Sequence, residues 1–410
     1  MEEINNKKSI NLIILVAALG YFVDIYDLVL FGIVRVKSLK DMGLAPEAIE
    51  SVGISLMNWQ MGGMLLGGIF WGIIGDKKGR LSVLFGSIIM YSLANIANGF
   101  VHTTTEYAFW RFIAGIGLAG ELGAGITLVS ETMSKEKRGY GTTIVATVGV
   151  FGAVVAGLLG DLVESWRTSY FIGGGMGISL LLLRIGVYES GMFSNIKESN
   201  IRKGNFMSLF SSFSKAKKYF SIIMIAVPVW YVMGILIILS PEMSRAMGMT
   251  EAPNPGRSIM FAYIGITLGD IASGLISQWL KSRKKVVVLF LLMSLICIVA
   301  YFSIGKSSLT SFYTVATFIG FATGYWAVFM SMASESFGTN IRATVTTTAP
   351  NFVRGAVIPL TFTYQLLKGS FNIQAMQAAI IIGVITFVLA LIAAYNLEET
   401  FHKDLDYIEE

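Results

Sequence analysis

The sequence predicts an all-α membrane protein in which twelve transmembrane helices form two pseudo-symmetric six-helix bundles. Three observations predict this fold. The chain of 410 residues is 54% hydrophobic and only 14% charged, whereas an ordinary soluble domain has about 25% charged residues. Apolar windows of about 20 residues, the length that crosses a bilayer as a helix, recur along the whole chain. Polar motifs of the first half return, in the same order, in the second half.

The apolar windows place the predicted helices. The twelve windows are 10–34, 51–74, 82–101, 107–129, 140–162, 168–187, 219–240, 258–280, 286–305, 310–333, 342–366 and 373–396. The first window is not expected to be a cleaved signal peptide, because it is too long, carries Asp24 and Asp27, and lacks a small-residue cleavage site.

Basic residues favour one side of the predicted membrane. Most of the 31 Lys and Arg residues lie in loops on the side of the two termini. The positive-inside rule therefore predicts that both termini are cytoplasmic, in a multi-pass protein of the cell membrane. This topology accounts for the net charge of +5, so no nucleic-acid partner is expected.

Cysteine and histidine are scarce. Cys297 is the only cysteine and falls inside a predicted helix, so an intrachain disulfide is impossible. His102 and His402 are the only histidines. No metal site, no histidine-based proton site and no cofactor are expected.

An internal repeat relates the two halves. SETMSKEKRGYGTT (130–143) returns as SESFGTNIRATVTT (334–347), so that Glu131 and Arg138 correspond to Glu335 and Arg342. A parallel duplication of this kind is typical of transporters. Chance similarity between two short loops is the alternative, and the common register of separate loops argues against it.

The repeat and the apolar windows divide the chain. A polar, basic stretch separates the two predicted bundles and is interpreted as a cytoplasmic linker. The predicted units are residues 1–190 (first bundle), 191–218 (linker) and 219–410 (second bundle with a cytoplasmic tail).

A glycine-rich stretch, WRFIAGIGLAGELGAG (110–125), matches the dinucleotide-binding pattern G-x-G-x-x-G. Such a site needs a preceding strand and a soluble βαβ unit, and neither is predicted. In a transmembrane helix, Gly115, Gly117 and Gly120 instead allow close packing of neighbouring helices. The sequence therefore does not indicate an enzyme.

Two acidic residues lie inside the first predicted helix. Asp24 and Asp27 are three residues apart and so lie on neighbouring positions of one face. Each costs about 2.5–3.5 kcal/mol at the bilayer centre on insertion scales. The functional hypothesis is proton and substrate chemistry in a central cavity. The alternative is a structural carboxylate hydrogen-bonded to a neighbouring helix.

The fourth predicted helix carries two charges. Arg111 lies near its outer end, and Glu121 lies about 15 Å deeper at 1.5 Å per residue. The hypothesis is a proton relay in which Arg111 and the acids of the first helix exchange partners. The alternative for Arg111 is a side chain that reaches the membrane surface.

A buried arginine in the eleventh predicted helix indicates an anion site. The guanidinium of Arg354 needs a partner, and its fork fits a carboxylate substrate. Asp270 of the eighth helix is the alternative partner. Further residues that are expected to line a substrate site are Asn351, Asp27, Gln60, Tyr231 and Trp326.

Seven motifs, in order along essentially the whole chain, resemble those of the major facilitator superfamily. GIIGDKKGR (72–80) resembles its signature loop G-x-x-x-D-[RK]-x-G-[RK]. The other six resemble motifs of the sugar-porter and metabolite–proton symporter branches: DIYDLVLFG (24–32), RFIAGIGLAGE (111–121), VYESGMF (187–193), SFGTNIRAT (336–344), NFVRGA (351–356) and LEETFHKDLDYIE (397–409). Three of these, VYESGMF, SFGTNIRAT and LEETFHKDLDYIE, lack a proline that is usual in the family.

The resemblance implies gating residues at the cytoplasmic helix ends. By resemblance, Asp76 and Arg80 form a latch with the opposite bundle. Matching gate salt bridges are expected from the repeated pairs Glu131 with Arg138 and Glu335 with Arg342.

The predicted function is proton-coupled symport of a small organic anion by alternating access, carried out by a monomer. Asp24 or Asp27, with Glu121, would carry the proton, and Arg354 with Arg111 would bind the anion. A drug–proton antiporter is the first alternative, but the fifth helix lacks the proline of the G-x-x-x-G-P motif. A neutral-sugar carrier, a uniporter, sodium coupling and a non-transporting membrane sensor are further alternatives.

Overall fold

The computed structural model describes residues 2–132, 138–189, 206–338, 341–401 and 403, with some side chains inside these ranges left out. Most of these residues are helical, and none of them lies in a strand. The first half holds α1 (Glu2–Asp41), α2 (Pro46–Lys78), α3 (Arg80–Asn98), α4 (Thr104–Leu118), α5 (Glu121–Thr132), α6 (Arg138–Leu162) and α7 (Trp166–Glu189).

The second half repeats this arrangement with more interruptions. Its helices are α8 (Phe213–Met224), α9 (Val227–Tyr231), α10 (Ser240–Ala246), α11 (Pro255–Leu280), α12 (Arg283–Ser303), α13 (Leu309–Thr323), α14 (Trp326–Glu335), α15 (Arg342–Gly355), α16 (Val357–Gly369) and α17 (Ala375–Asn396). A π-helical turn, Val232–Ile237, lies between α9 and α10.

Nine segments of the described chain are long and apolar enough to cross a membrane. They coincide with nine of the twelve predicted windows, and the predicted all-α membrane fold is confirmed. The windows 107–129 and 342–366 fall on helices that are interrupted, at Ala119–Gly120 and at Ala356. The window 51–74 falls on α2, whose glycines and polar residues make it less apolar.

Two helix interruptions follow the internal repeat. The α4–α5 interruption at Gly120 and the α13–α14 interruption at Gly324 are separated by the same interval as the repeated loop motifs. A Cβ on Gly120 would lie 2.9 Å from the Ser87 Cβ, and one on Gly324 would lie 2.6 Å from the Ile266 carbonyl oxygen. In both halves the helix therefore breaks where a neighbouring helix comes close.

The predicted linker lies largely outside the described residues. Residues 190–205 are not described, and a short 3₁₀ helix, Phe206–Phe210, precedes α8. From α8 onward the chain forms the second half. The halves meet chiefly where α6 and α1 contact α11 and where α2 contacts α15. This contact zone positions the candidate site.

Candidate functional site

A buried ion pair joins the two halves near the middle of the molecule. Nη2 of Arg354, on α15, lies 3.7 Å from Oδ2 of Asp24, on α1. Both side chains are excluded from solvent. Neither oxygen of Asp24, nor Nε of Arg354, has a hydrogen-bond partner among the described residues. The two charges face each other, and both acceptor atoms of Asp24 remain without a hydrogen-bond donor in the described part of the chain.

Aromatic and amide side chains surround this pair. The Arg354 Cζ lies 5.9 Å from the Trp326 ring centre, within the range of a cation–π contact. The indole Nε1 of Trp326 has no hydrogen-bond partner in the described part of the chain. The charges of Arg354 and Asp24 also act on the hydroxyls of Tyr21 and Tyr263. The pair therefore lies in an aromatic, water-poor environment.

Asn351 links α15 to the interruption between α4 and α5. Its Nδ2 donates to the Ala119 carbonyl at 2.8 Å and to the Thr347 carbonyl at 2.7 Å, while its Oδ1 accepts no hydrogen bond from the described residues. Gln60 of α2 is equally buried, and its Nε2 donates to the Leu28 carbonyl of α1 at 3.3 Å. Both amides therefore fasten helices beside the central pair.

Asp27 and Arg111 form a second charged group, wholly within the first half. The Arg111 charge acts on the Asp27 carboxylate, and the Asn95 amide approaches the same carboxylate from α3. No hydrogen bond of normal geometry is made by either charged group within the described residues. Arg111 is fully buried and lies 5.6 Å from the Phe31 ring centre, so it does not reach the membrane surface as the alternative interpretation held.

Glu121, for which the relay hypothesis named no basic partner, is paired with an arginine of α7. Its carboxylate is held by Arg184 of α7, with Nη1 donating to Oε2 at 3.1 Å and Nη2 donating to Oε1. The Ser87 hydroxyl donates to Oε2 at 3.4 Å. Arg184 also donates to the Leu84 carbonyl at 2.9 Å. Glu121 is therefore engaged inside the first half, and not with Arg111.

Arg184 is a residue that sequence reasoning left without a role. It is a charged residue inside the predicted sixth helix. A charged side chain is costly to insert into a bilayer, and this cost was the signal that could have identified Arg184 as a residue with a role. The sequence did not indicate which acid on another helix it would meet.

Asp270 is occupied elsewhere. Its Oδ1 accepts from the Ala327 N–H at 3.1 Å, at the start of α14, and Oδ2 has no hydrogen-bond partner among the described residues. The acidic residue that faces Arg354 is therefore Asp24, and not Asp270 as the alternative interpretation held. The hydroxyl of Tyr231 donates to the Ala379 carbonyl of α17 at 2.8 Å, so this predicted lining residue is used to fasten α9 to α17.

The predicted gate lies partly outside what the structure describes. The side chains of Asp76, Arg80, Glu131 and Arg138 belong to that part. In the second half, Glu335 pairs with Arg283 at 3.2 Å and accepts from the Thr400 hydroxyl at 2.8 Å. Nε of Arg342 donates to the Ser334 carbonyl at 2.9 Å. Glu335 thus anchors α12 and the segment after α17, a role that the repeat did not predict.

The site combines a permanent cation and a carboxylate across the contact zone of two bundles. A guanidinium stays charged at any physiological pH, whereas a carboxylate can be neutralised by one proton. Within the described residues no group of three or more His, Cys, Asp or Glu side chains could hold a metal ion. In general, a guanidinium can pair with an anion, and a carboxylate can bind a proton.

Known proteins resemble the chain over nearly its whole length. The family model of the Major Facilitator Superfamily matches residues 17–360. The chain is 27% identical over 409 residues to a "Putative metabolite transport protein" of Haemophilus influenzae, covering 95% of this chain and 96% of that protein. It is 24% identical over 405 residues to the "Putative niacin/nicotinamide transporter NiaP" of Bacillus subtilis, covering 95% and 96%. A shorter match, 31% identical over 180 residues, is to the "Benzoate transport protein" of Acinetobacter baylyi, covering 42% of this chain and 37% of that protein.

Proposed function

Because the chain belongs to the Major Facilitator Superfamily, we propose that it is a proton-coupled symporter of a small organic anion, working by alternating access. The family and the relatives establish a multi-pass membrane transporter of small molecules, not an enzyme. Proton coupling, the anionic substrate, a monomeric state, cytoplasmic termini and residence in the cell membrane belong to the proposal.

The ion pair of Asp24 and Arg354 is the observation that carries the proposal. It spans the contact zone of the two halves, and neither oxygen of Asp24 has a hydrogen-bond partner among the described residues. While Asp24 is charged, it is the counter-ion of Arg354 and repels the carboxylate of an approaching substrate. A proton on Asp24 removes that competitor, and the guanidinium fork can then bind a substrate carboxylate through two parallel hydrogen bonds.

Proton and substrate are coupled by this exchange of partners. With both bound, the substrate carboxylate replaces Asp24 as the counter-ion of Arg354, so the loaded site has no net charge. The empty site, with a charged Asp24 beside Arg354, has none either, and both states can rock between the two sides. A site that holds the proton or the anion alone carries a net charge, which disfavours that movement. Asp27, beside Arg111, is a second carboxylate that can take up a proton in the same helix. We assign Glu121 a supporting role, because Arg184 already engages both of its oxygens.

The names of two relatives support a carboxylate with a ring. One relative is named a benzoate transport protein and another a putative niacin/nicotinamide transporter. Benzoate and niacin are both small aromatic carboxylic acids. Beside Arg354 the site offers Trp326, with Tyr21 and Tyr263 near the same charges. An aromatic ring can stack on such side chains while its carboxylate meets the guanidinium. We propose small monocarboxylates, aromatic ones first, as the substrate class.

The test is uptake into proteoliposomes of the purified protein. The panel is radiolabelled benzoate, nicotinate, lactate and succinate, with glucose as a neutral solute. Each is measured with no gradient, with an imposed proton gradient, and with an imposed sodium gradient. We expect accumulation of a carboxylate that depends on the proton gradient. Absence of uptake of every carboxylate, uptake of glucose alone, or accumulation driven by sodium alone would each contradict the proposal.

Two variants separate coupling from binding. In Asp24→Asn the carboxylate that takes up the proton is gone but Arg354 remains, so exchange of internal for external substrate should persist while gradient-driven accumulation is lost. Arg354→Gln should lose both. Asp270→Asn is the matched control, because Asp270 is equally buried but hydrogen-bonds the α14 backbone. Accumulation by Asp24→Asn at the wild-type level would refute the role of Asp24.

A further inference from the structure

A second buried ion pair joins the two halves nearer one end of the molecule. Nη2 of Arg35, on α1, lies 2.9 Å from both carboxylate oxygens of Glu242, on α10, and 3.4 Å from the Ile238 carbonyl. Arg35 is fully buried, and the Glu242 side chain is 4% exposed. All three contacts are made by a single nitrogen of the guanidinium, Nη2. Its Nε and Nη1 have no hydrogen-bond partner among the described residues.

This pair lies on the same face of α1 as Asp24. The helix runs without interruption from Glu2 to Asp41. Asp24 and Arg35 are separated by about three full turns, so they point in nearly the same direction and lie about 16 Å apart along the axis. Both meet a residue of opposite charge from the second half. One face of α1 thus carries an acid at the centre and a cation toward the end where α1 meets α2.

We define this end, where α1 ends and α2 begins, as the outer end. Two more ion pairs join the halves there. Arg257 of α11 lies 2.7 Å from Asp161 of α6, and Lys368 of α16 contacts Glu50 of α2. These pairs are partly exposed, whereas the Arg35 pair is buried. Three ion pairs therefore hold the two halves together at the outer end, and the Arg35 pair is the buried one.

Stability alone does not explain a buried pair of this kind. The cost of removing two charges from water can equal or exceed their attraction, and apolar side chains of similar size often serve as well. Two guanidinium nitrogens of Arg35 remain without partners, which adds to the cost. The neighbouring helix leaves space for this group: a Cβ on Gly53 would lie 2.6 Å from Cδ of Arg35 and 3.0 Å from Nη1.

We propose that Arg35 is an outer anion-binding residue, which captures the substrate carboxylate before it reaches Arg354. When the outer end opens, Glu242 moves away with the second half, and Arg35 stays on α1 with its donors facing the widening gap. A carboxylate then replaces Glu242 on the guanidinium. When the substrate moves inward, Glu242 returns to Arg35 and closes the route behind it. This inference rests on the proposed function, because it requires an anionic substrate.

A simple latch and a binding residue predict different behaviour. If the pair only holds the outer end closed, removal of either charge has the same effect on uptake. If Arg35 also binds the anion, the effects oppose each other. Glu242→Gln removes a competitor and should lower the KM of the carboxylate. Arg35→Gln removes the binding group and should raise it by about tenfold, because a hydrogen bond to a charged group is worth about that factor.

The decisive comparison is between Glu242→Gln and the double variant Arg35→Gln/Glu242→Gln. Both lack the latch, and they differ only in the cation. The double variant also leaves no unpaired buried charge, so it remains informative where Arg35→Gln alone fails to fold. The probe is the carboxylate of the panel above that wild type takes up fastest. We expect the KM of the double variant to exceed that of Glu242→Gln about tenfold, and Arg35→Lys to stay closer to wild type.

Ionic strength supplies a second readout. Salt screens the attraction between an exposed cation and an approaching anion, so kcat/KM should fall with added salt in Glu242→Gln and change less in the double variant. Equal KM values and equal salt dependence in these two variants would show that Arg35 is a latch only, and would overturn the inference. Failure of wild type to take up any carboxylate of the panel would instead refute the proposed function, and this inference with it.

Discussion

The glycine face between α2 and α4 allows a quantitative test of packing. A Cβ on Gly115 of α4 would overlap the Gln60 carbonyl oxygen of α2, and would lie 3.0 Å from its carbonyl carbon and 3.1 Å from Met64 N. In the reverse direction, a Cβ on Gly63 of α2 would overlap the Phe112 carbonyl oxygen. These neighbours are backbone atoms of a helix, which cannot turn away. Gly115→Ala must therefore push the two helices apart.

Gly125 is the matched control on α5. A Cβ there would lie 3.7 Å from the Ala17 Cβ, which is an ordinary van der Waals contact. Alanine is favoured over glycine inside a helix by about 1 kcal/mol, so Gly125→Ala should keep most of that gain. Gly115→Ala has the same gain, but overpacking costs about 3 kcal/mol or more where nothing can move. The two variants should therefore differ by about 3 kcal/mol in stability, with Gly115→Ala the weaker.

The assay is thermal unfolding of the detergent-purified protein, followed by tryptophan fluorescence and by loss of the monodisperse peak after heating. A difference of this size corresponds to a shift of the midpoint on the order of 10 °C for a domain of 150–250 residues. Gly63→Ala should behave like Gly115→Ala. A midpoint of Gly115→Ala equal to or above that of Gly125→Ala would refute the packing argument.

Two further predictions concern charges outside the central pair. Glu121→Gln leaves Arg184 buried without its partner and should destabilise the first half by about 3–5 kcal/mol. In the same thermal assay, the double variant Glu121→Gln/Arg184→Gln should recover much of this loss of stability. Equal losses of stability in the two variants would contradict this prediction. Glu399, after α17, is partly buried, which alone would raise its pKa, but hydrogen bonds from the Ser282 hydroxyl and the Arg283 N–H lower the pKa of this carboxyl overall. Because the folded-state pKa is lowered, the stabilisation is present above the ordinary Glu pKa and is lost as the pH falls through the folded-state value. The difference in thermal unfolding midpoint between wild type and Glu399→Gln should therefore shrink on acidification. A difference that grows would refute the assignment.

The helical membrane fold followed from local properties of the chain. Lipid offers no hydrogen-bond partners to the backbone, so long apolar windows must be helices. Nine of the predicted windows coincide with apolar segments of the structure. Charged residues inside such windows are costly, which is why Asp24, Asp27, Glu121, Arg111 and Arg354 could be selected from the sequence. The internal repeat was also visible, and the paired interruptions at Gly120 and Gly324 follow it.

The partners of these charges were decided only by tertiary packing. Asp24 meets Arg354 across the halves, and Glu121 meets Arg184 and not Arg111. Helical periodicity assigns a residue to a face, but it does not say how each helix is rotated or which distant helix it contacts. That depends on side-chain fit between segments far apart in sequence, such as the backbone approach that the glycines of α2 and α4 allow. The pair of Arg35 and Glu242 could not be predicted from the sequence for the same reason. Each residue lies near a helix end, where single charged residues are common and do not indicate a buried partner.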